Sequence, residues 1–181
     1  MTTVTAVQTS PLYWSRLQEP AWSLYLAATE QGLAFVGSSG GTLDELTAWA
    51  SRRFPGRTLT QDDQRLAPYA DELAAYLRGE LQRFTLPYDL HGTPFQQDVW
   101  QALCAIPFGQ TRSYSDIAES IGKPAAVRAV GAAIGANPLL ITVPCHRVIG
   151  KNGALTGYRG GLEMKMRLLE LEQAAFVGGS R

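Results

Sequence analysis

Apolar and polar positions along the chain change their period near residue 90. Trp22 to Thr29 is rich in apolar and β-forming residues, Glu30-Gln31-Gly32 turns the chain, and Leu33 to Gly37 resumes it, which predicts a hairpin. Thr42 is then a candidate N-cap for a helix carrying Leu43, Leu46, Ala50 and Phe54, ended by Pro55. Leu66, Tyr69, Leu73, Ala74 and Leu77 recur at helical spacing, with Gly79 closing that helix, and Phe84 to Leu90 alternates as a last strand. Residues 1–90 thus read as a small α+β supporting domain without a chemical motif of its own.

From residue 91 the pattern is helical. Thr93 caps, Pro94 suits a first helical turn and Gln96 completes a capping box, followed by an apolar stripe of Phe95, Val99 and Leu103, with Cys104 read as a core filler. Ser113 caps a short helix from Tyr114 to Ile121, Gly122 ends it, and Pro124 opens a second helix, Ala125 to Ala136, which Asn137-Pro138 terminates. Two short helices joined by Gly122-Lys123-Pro124 make a helix-turn-helix arrangement. In the second, Val127, Val130 and Ile134 form a core stripe, while Arg128 shares its face with Gly131, Ala132 and Gly135. That face is bare apart from one cationic arm, which suits either close helix packing or close approach to another surface. Asn152-Gly153 predicts a turn, Gly157 to Gly161 a loop, and Leu162 to Gln173 a final amphipathic helix.

Composition narrows the possibilities. The 181 residues are 45% hydrophobic, and no run of about 18 apolar residues exists to span a membrane. The polar, Thr-rich stretch from Met1 to Ser10 lacks the pattern of a secretory signal, and two cysteines make no disulfide scaffold, so a reduced cytoplasmic setting is expected. Zero net charge argues against a nonspecific polyanion binder, yet the charge is unevenly placed. Residues 1–90 hold seven arginines and no lysine against ten acids, a balance of −3, and residues 91–181 carry +3. If either part meets nucleic acid, it is the second.

The apolar run Ile141 to Ile149 is interrupted by Pro144, Cys145, His146 and Arg147. A thiolate is the reactive form of cysteine, and cationic or hydrogen-bonding neighbours favour it, so Cys145 is a candidate nucleophile. Read as a strand, the run would point Cys145 and His146 to opposite faces, and a bridging water would then connect them.

Val143-Pro144-Cys145-His146-Arg147-Val148 resembles the active-site signature of the O6-alkylguanine-DNA alkyltransferases, also called methylated-DNA–protein-cysteine methyltransferases. The resemblance runs from about Thr93 to Gln173 and includes Tyr114, the Arg128 helix, Asn137-Pro138 and Gly157 to Leu162. It implies an α+β protein, with an N-terminal ribonuclease-H-like α+β domain at 1–90 and a mostly helical C-terminal domain with a helix-turn-helix at 91–181. The implied activity is single-use repair of O6-alkylguanine in double-stranded DNA, mainly O6-methylguanine and more weakly O4-methylthymine, by irreversible transfer to Cys145 after base flipping from the minor groove.

The same resemblance assigns roles. Cys145 takes the alkyl group, His146 acts as base through a water, Glu172 orients His146, and Asn137 holds the active-site turn. Tyr114 presses on the phosphate and donates to N3 of the base. Arg128 fills the gap in the duplex, and Ala129 adds to the DNA surface. The carbonyls of Cys145 and Val148 accept from the guanine amino group, while Tyr158, Arg159 and Gly160 wall the pocket. No cofactor or metal is implied, and no cysteine precedes Cys104 to build the N-terminal zinc site of some relatives. The expected protein is a monomer that can cluster on DNA. Two positions depart from the pattern: Leu171 replaces a common histidine, and Arg159 replaces a small hydroxyl residue, which would change the alkyl groups admitted. The alternatives are a noncatalytic alkyl-lesion binder, a class that lacks the cysteine, and a cysteine hydrolase, which leaves the Arg128 helix unexplained.

Overall fold

The computed structural model describes residues 10–178; the polar stretch from Met1 lies outside them except for Ser10. The N-terminal part is built on β1 (Leu12–Glu19), β2 (Trp22–Ala28), β3 (Leu33–Val36) and β4 (Leu59–Gln61), with α1 (Leu43–Arg53) and α2 (Asp63–Leu77). The sheet order is β3-β2-β1-β4, antiparallel except for the parallel β1–β4 pair. Strand alternation explains the layering: Leu24, Leu26 and Ala28 face the core shared with α2, while Ala27 and Phe35 face Leu46 and Ala50 of α1. The predicted hairpin and both helices are present. Thr42 stands at the N-cap of α1 but its side chain makes no capping bond.

β1 and β4 were not expected from the pattern. β1 runs through the middle of the sheet and packs on both faces, so its apolar residues do not alternate cleanly with polar ones. Phe84 to Leu90 is not a strand. Only Tyr88 forms a lone bridge to Leu33. Pro87 has no N–H to give a ladder, and the Glu72 carboxylate accepts from the amides of Thr85 (3.1 Å) and Leu86 (3.4 Å) in place of a neighbouring strand.

The C-terminal part contains α3 (Pro94–Cys104), β5 (Arg112–Ser113), α4 (Tyr114–Ser120), α5 (Val127–Gly135) after a 3-10 turn at Pro124–Ala126, β6 (Val148–Ile149) and α6 (Leu162–Gly178). Both capping boxes form: Thr93 with Gln96 at α3, and Ser113 with Asp116 at α4. Gly122 takes φ +70° at the turn between α4 and α5, a conformation that favours glycine. Trp100 of α3 donates its indole N–H to the Ala133 carbonyl of α5 at 2.9 Å, fixing that crossing. Cys104 does not fill the core; it ends α3 exposed, one position beyond the buried Leu103.

One apolar cluster runs through both parts, joining Leu17, Leu24, Leu73 and Tyr76 to Val99, Trp100, Val130, Leu140 and Leu168. The backbone also crosses: the Val36 amide at the end of β3 donates to the Pro138 carbonyl at 3.0 Å.

Candidate active site

The stretch from Asn137 to Ile149 places the reactive groups, and it is not the strand its apolar run suggests. The buried Asn137 side chain organises a compact turn: its amide donates to the carbonyls of Leu139 (3.2 Å) and Val143 (3.1 Å), and its oxygen accepts from the Leu139 amide (2.9 Å). Thr142 N bonds Leu140 O and Val143 N bonds Leu139 O, so these backbone groups are consumed within the turn. Ile141 is held at φ +69°, a costly conformation for a β-branched residue. A 3-10 turn over Cys145–Arg147 follows, and only Val148–Ile149 pairs as a strand, parallel to β5.

Cys145 opens that 3-10 turn and is 3% exposed. The Asn137 amide also reaches the Cys145 thiol at 3.2 Å, its two N–H groups being shared among the sulfur and the Leu139 and Val143 carbonyls. Burial pushes the thiol pKa up; the Asn137 bond and the charges of Arg159 and Lys165 oppose this without overcoming it. The resting side chain is therefore a thiol. It borders a cavity of about 660 Å3 whose wall includes Tyr114, Arg128, Gly131, Ile134 and Tyr158.

His146, fully buried, turns away from solvent toward Glu172, with Nε2 2.7 Å from Oε1. Its Nδ1 has no protein partner. Glu172 also accepts from Arg147 (Nε 3.0 Å, Nη2 2.8 Å), the Gly109 amide (3.1 Å) and the Tyr76 hydroxyl (2.5 Å). Burial pushes the Glu172 carboxyl up, but the bonds and charges of His146 and Arg147 outweigh it and draw it down to about 2. Burial likewise holds the His146 imidazole below its ordinary pKa, against the pull of Glu172. At neutral pH the site therefore contains a neutral imidazole beside a carboxylate paired with a guanidinium.

The remaining expected residues divide. Tyr114 borders the cavity, its hydroxyl accepting from Thr156 at 2.9 Å. Arg128 is exposed on α5 and, among the described residues, takes part in no ion pair. Ala129 is exposed on α5 but outside the cavity wall. The Val148 carbonyl already accepts from the buried Lys165 ammonium at 2.5 Å, and the Cys145 carbonyl from the Val148 amide, so each has one lone pair engaged. The Tyr158 hydroxyl is buried without a protein partner. Gly160 has no room for a side chain: a Cβ would lie 2.5 Å from the Met164 sulfur.

Arg159 is the longest side chain of its loop. It lines the cavity beside Cys145, and its guanidinium is tied to both parts of the chain, bonding Glu45 (2.7 Å) and the Val36 carbonyl (2.8 Å) on one side and the Asn137 and Pro138 carbonyls on the other. Tyr76, Lys165 and Glu45 were not anticipated. Lys165 alone left a signal, as a charge between the apolar Met164 and Leu168 on the buried stripe of α6. Among the described residues no group of histidine, cysteine, aspartate and glutamate could hold a metal, and no helix is long and apolar enough to cross a membrane.

Residues 12–90 match the ribonuclease-like domain of 6-O-methylguanine DNA methyltransferases, and residues 94–174 match their DNA-binding domain. An inducible methylated-DNA–protein-cysteine methyltransferase of Bacillus subtilis is 63% identical over 91% of this chain and 92% of its own. One from Methanosarcina barkeri is 43% identical over 90% and 98%. The structure of Mycobacterium tuberculosis OGT in complex with DNA superposes with a TM-score of 0.78 at 44% identity, covering 90% of this chain and 94% of that one. With both halves matched in order, and Cys145 held by Asn137 above a buried His146–Glu172 pair, this chain belongs to the methylated-DNA–protein-cysteine methyltransferase family.

Proposed function

We propose that this protein repairs O6-alkylguanine in duplex DNA, chiefly O6-methylguanine and more weakly O4-methylthymine, by moving the alkyl group irreversibly to Cys145. The observation that carries the reading is a buried thiol at the wall of a cavity rimmed by Tyr114 and Arg128. A guanine inside a duplex offers its exocyclic carbon to no nucleophile, so the base is flipped out, at a cost of a few kcal/mol. α5 suits the work. Its Gly131–Gly135 face brings the backbone close to the minor groove, and Arg128 occupies the space the base vacates.

The chemistry follows from the protonation states. Because Cys145 rests as a thiol, it needs a base, and the unpaired Nδ1 of His146 takes the proton through a water while Glu172 holds Nε2. The sulfur attacks the alkyl carbon, the S–C bond forms as the O6–C bond breaks, and guanine leaves as an anion that Tyr114 protonates at N3. The second lone pairs of the Cys145 and Val148 carbonyls meet the guanine amino group, and the Tyr158–Gly160 backbone faces O6. The thioether product has no activated leaving group, so each molecule acts once.

Within this reading residues 1–90 support and residues 91–181 bind and react. The protein works in the cytoplasm on the chromosome as a monomer that can cluster along DNA. No cofactor enters the scheme. Intact-protein mass after exposure to excess duplex carrying one O6-methylguanine tests it: one added CH2 per chain, on Cys145, is expected. Cys145→Ala should gain nothing yet still bind, and Arg128→Ala should slow repair of the duplex far more than reaction with free O6-benzylguanine. Lesion binding without a mass change would instead make this a noncatalytic lesion binder.

A further inference from the structure

We infer that Tyr76, on α2 of the N-terminal part, is a positioning residue of the His146–Glu172 pair: its hydroxyl fixes which imidazole nitrogen is free and limits how strongly Glu172 holds His146. The inference rests on the proposed role of His146 as base and brings a residue of the N-terminal part to bear on it.

The donor count around Glu172 leads there. The Arg147 guanidinium and the Gly109 amide can only donate, and a carboxylate paired with them is ionised and can only accept. The Tyr76 hydroxyl at 2.5 Å and His146 Nε2 at 2.7 Å reach the same oxygen, Oε1, so both must donate to it. Nε2 therefore carries the proton in the neutral ring, and Nδ1 keeps the lone pair. With its own proton on Glu172, the Tyr76 oxygen turns a lone pair toward Nε2 at 3.2 Å and steadies the ring in that tautomer.

The same hydroxyl competes with His146. Each further donor on Oε1 leaves less negative potential for an imidazolium, so Tyr76 acts with burial to keep His146 neutral and able to accept a proton. The charged and titratable groups around the ring are Glu172 and Lys165 on α6, Arg147 in the adjoining turn and Tyr76 on α2. Phe108 packs edge-on against the Tyr76 ring. Tyr76 is itself fully buried, and burial with the facing Glu172 pushes its phenol well above the ordinary pKa, so it stays protonated as a fixed donor.

Two variants move the balance in opposite directions. Tyr76→Phe removes one oxygen atom and returns Oε1 to Nε2, while 3-fluorotyrosine at position 76 is a stronger donor and takes more of it. Histidine NMR on the full chain is simple, since His146 and His91 are the only histidines and His91 pairs with Asp89 at the surface. In Tyr76→Phe the His146 titration should rise by about half a pH unit or more, the fluorotyrosine protein should show a fall, and His91 should not move. The acid limb of reaction with free O6-benzylguanine should follow His146 in both proteins. Unchanged His146 titration in both would overturn the proposal, whatever happens to thermal stability. Should Tyr76→Phe fail to fold, the fluorotyrosine protein decides alone. The titration needs neither DNA nor alkyl donor, so a shift of His146 without transfer to Cys145 would count against the repair reading and not against Tyr76.

Discussion

At the scale of single residues, Glu172 gathers five N–H and O–H donors from three stretches of chain. Glu172→Gln would leave the Arg147 guanidinium buried without its counter-charge, a loss expected to cost about 3–5 kcal/mol, measurable by urea denaturation. The pH dependence has a definite sign. His146 has a folded pKa below its unfolded 6.5, so the unfolded chain binds the extra proton and stability falls as pH drops below about 6.5. Glu172, about 2 when folded against 4.5 unfolded, adds stability that is complete above about 4.5 and lost as pH falls toward 2. Melting temperature should therefore decline in two stages on acidification, and the later stage should vanish in Glu172→Gln. Of this cluster, His146 stood out beside Cys145 in the sequence, while Glu172 was legible only through the family resemblance. Tyr76 was not legible at all, because it lies 70 and 96 residues from its partners and reads locally as one more apolar position on α2.

At the scale of elements, local signals read well where the physics is local. The Thr93 and Ser113 caps, the Gly122 turn and the bare face of α5 all rest on contacts within a few residues, and all are present. Thr93→Ala should cost about 1 kcal/mol, lowering the melting temperature by about 2–4 °C with alkyl transfer to free O6-benzylguanine unchanged. Gly135 has nothing within 4 Å of a Cβ, so Gly135→Leu should leave melting unaffected while weakening duplex binding in a fluorescence titration. The Ile141 to Ile149 run misled because hydrophobic patterning cannot see Asn137, whose side chain competes for the carbonyls a ladder would use. β1 escaped notice for a related reason: a strand packed on both faces loses the alternation by which half-buried strands are recognised.

Across the whole molecule, the charge split of −3 and +3 suggested two parts with different duties, yet one core and one set of polar contacts join them. Leu73, fully buried in α2, belongs to the same cluster as Val130 and Leu168. Leu73→Ala should cost about 2–5 kcal/mol, and calorimetry should show both parts melting in a single transition, before and after the change. Two resolved transitions would mean the parts fold independently. The sequence boundary near residue 90 marks a change of secondary structure but not a break in the packing.

The position of Glu172 has a consequence for how the protein is made. It lies on α6, and a ribosome adds it after every residue that donates to it. Until α6 emerges, the nascent chain carries Arg147 without its anion, His146 without its anchor and Tyr76 without its acceptor, and the shared core lacks Met164 and Leu168. Assembly of the site therefore waits on synthesis of α6, so a chain that has not reached it holds Cys145 as a thiol with no assembled base to deprotonate it.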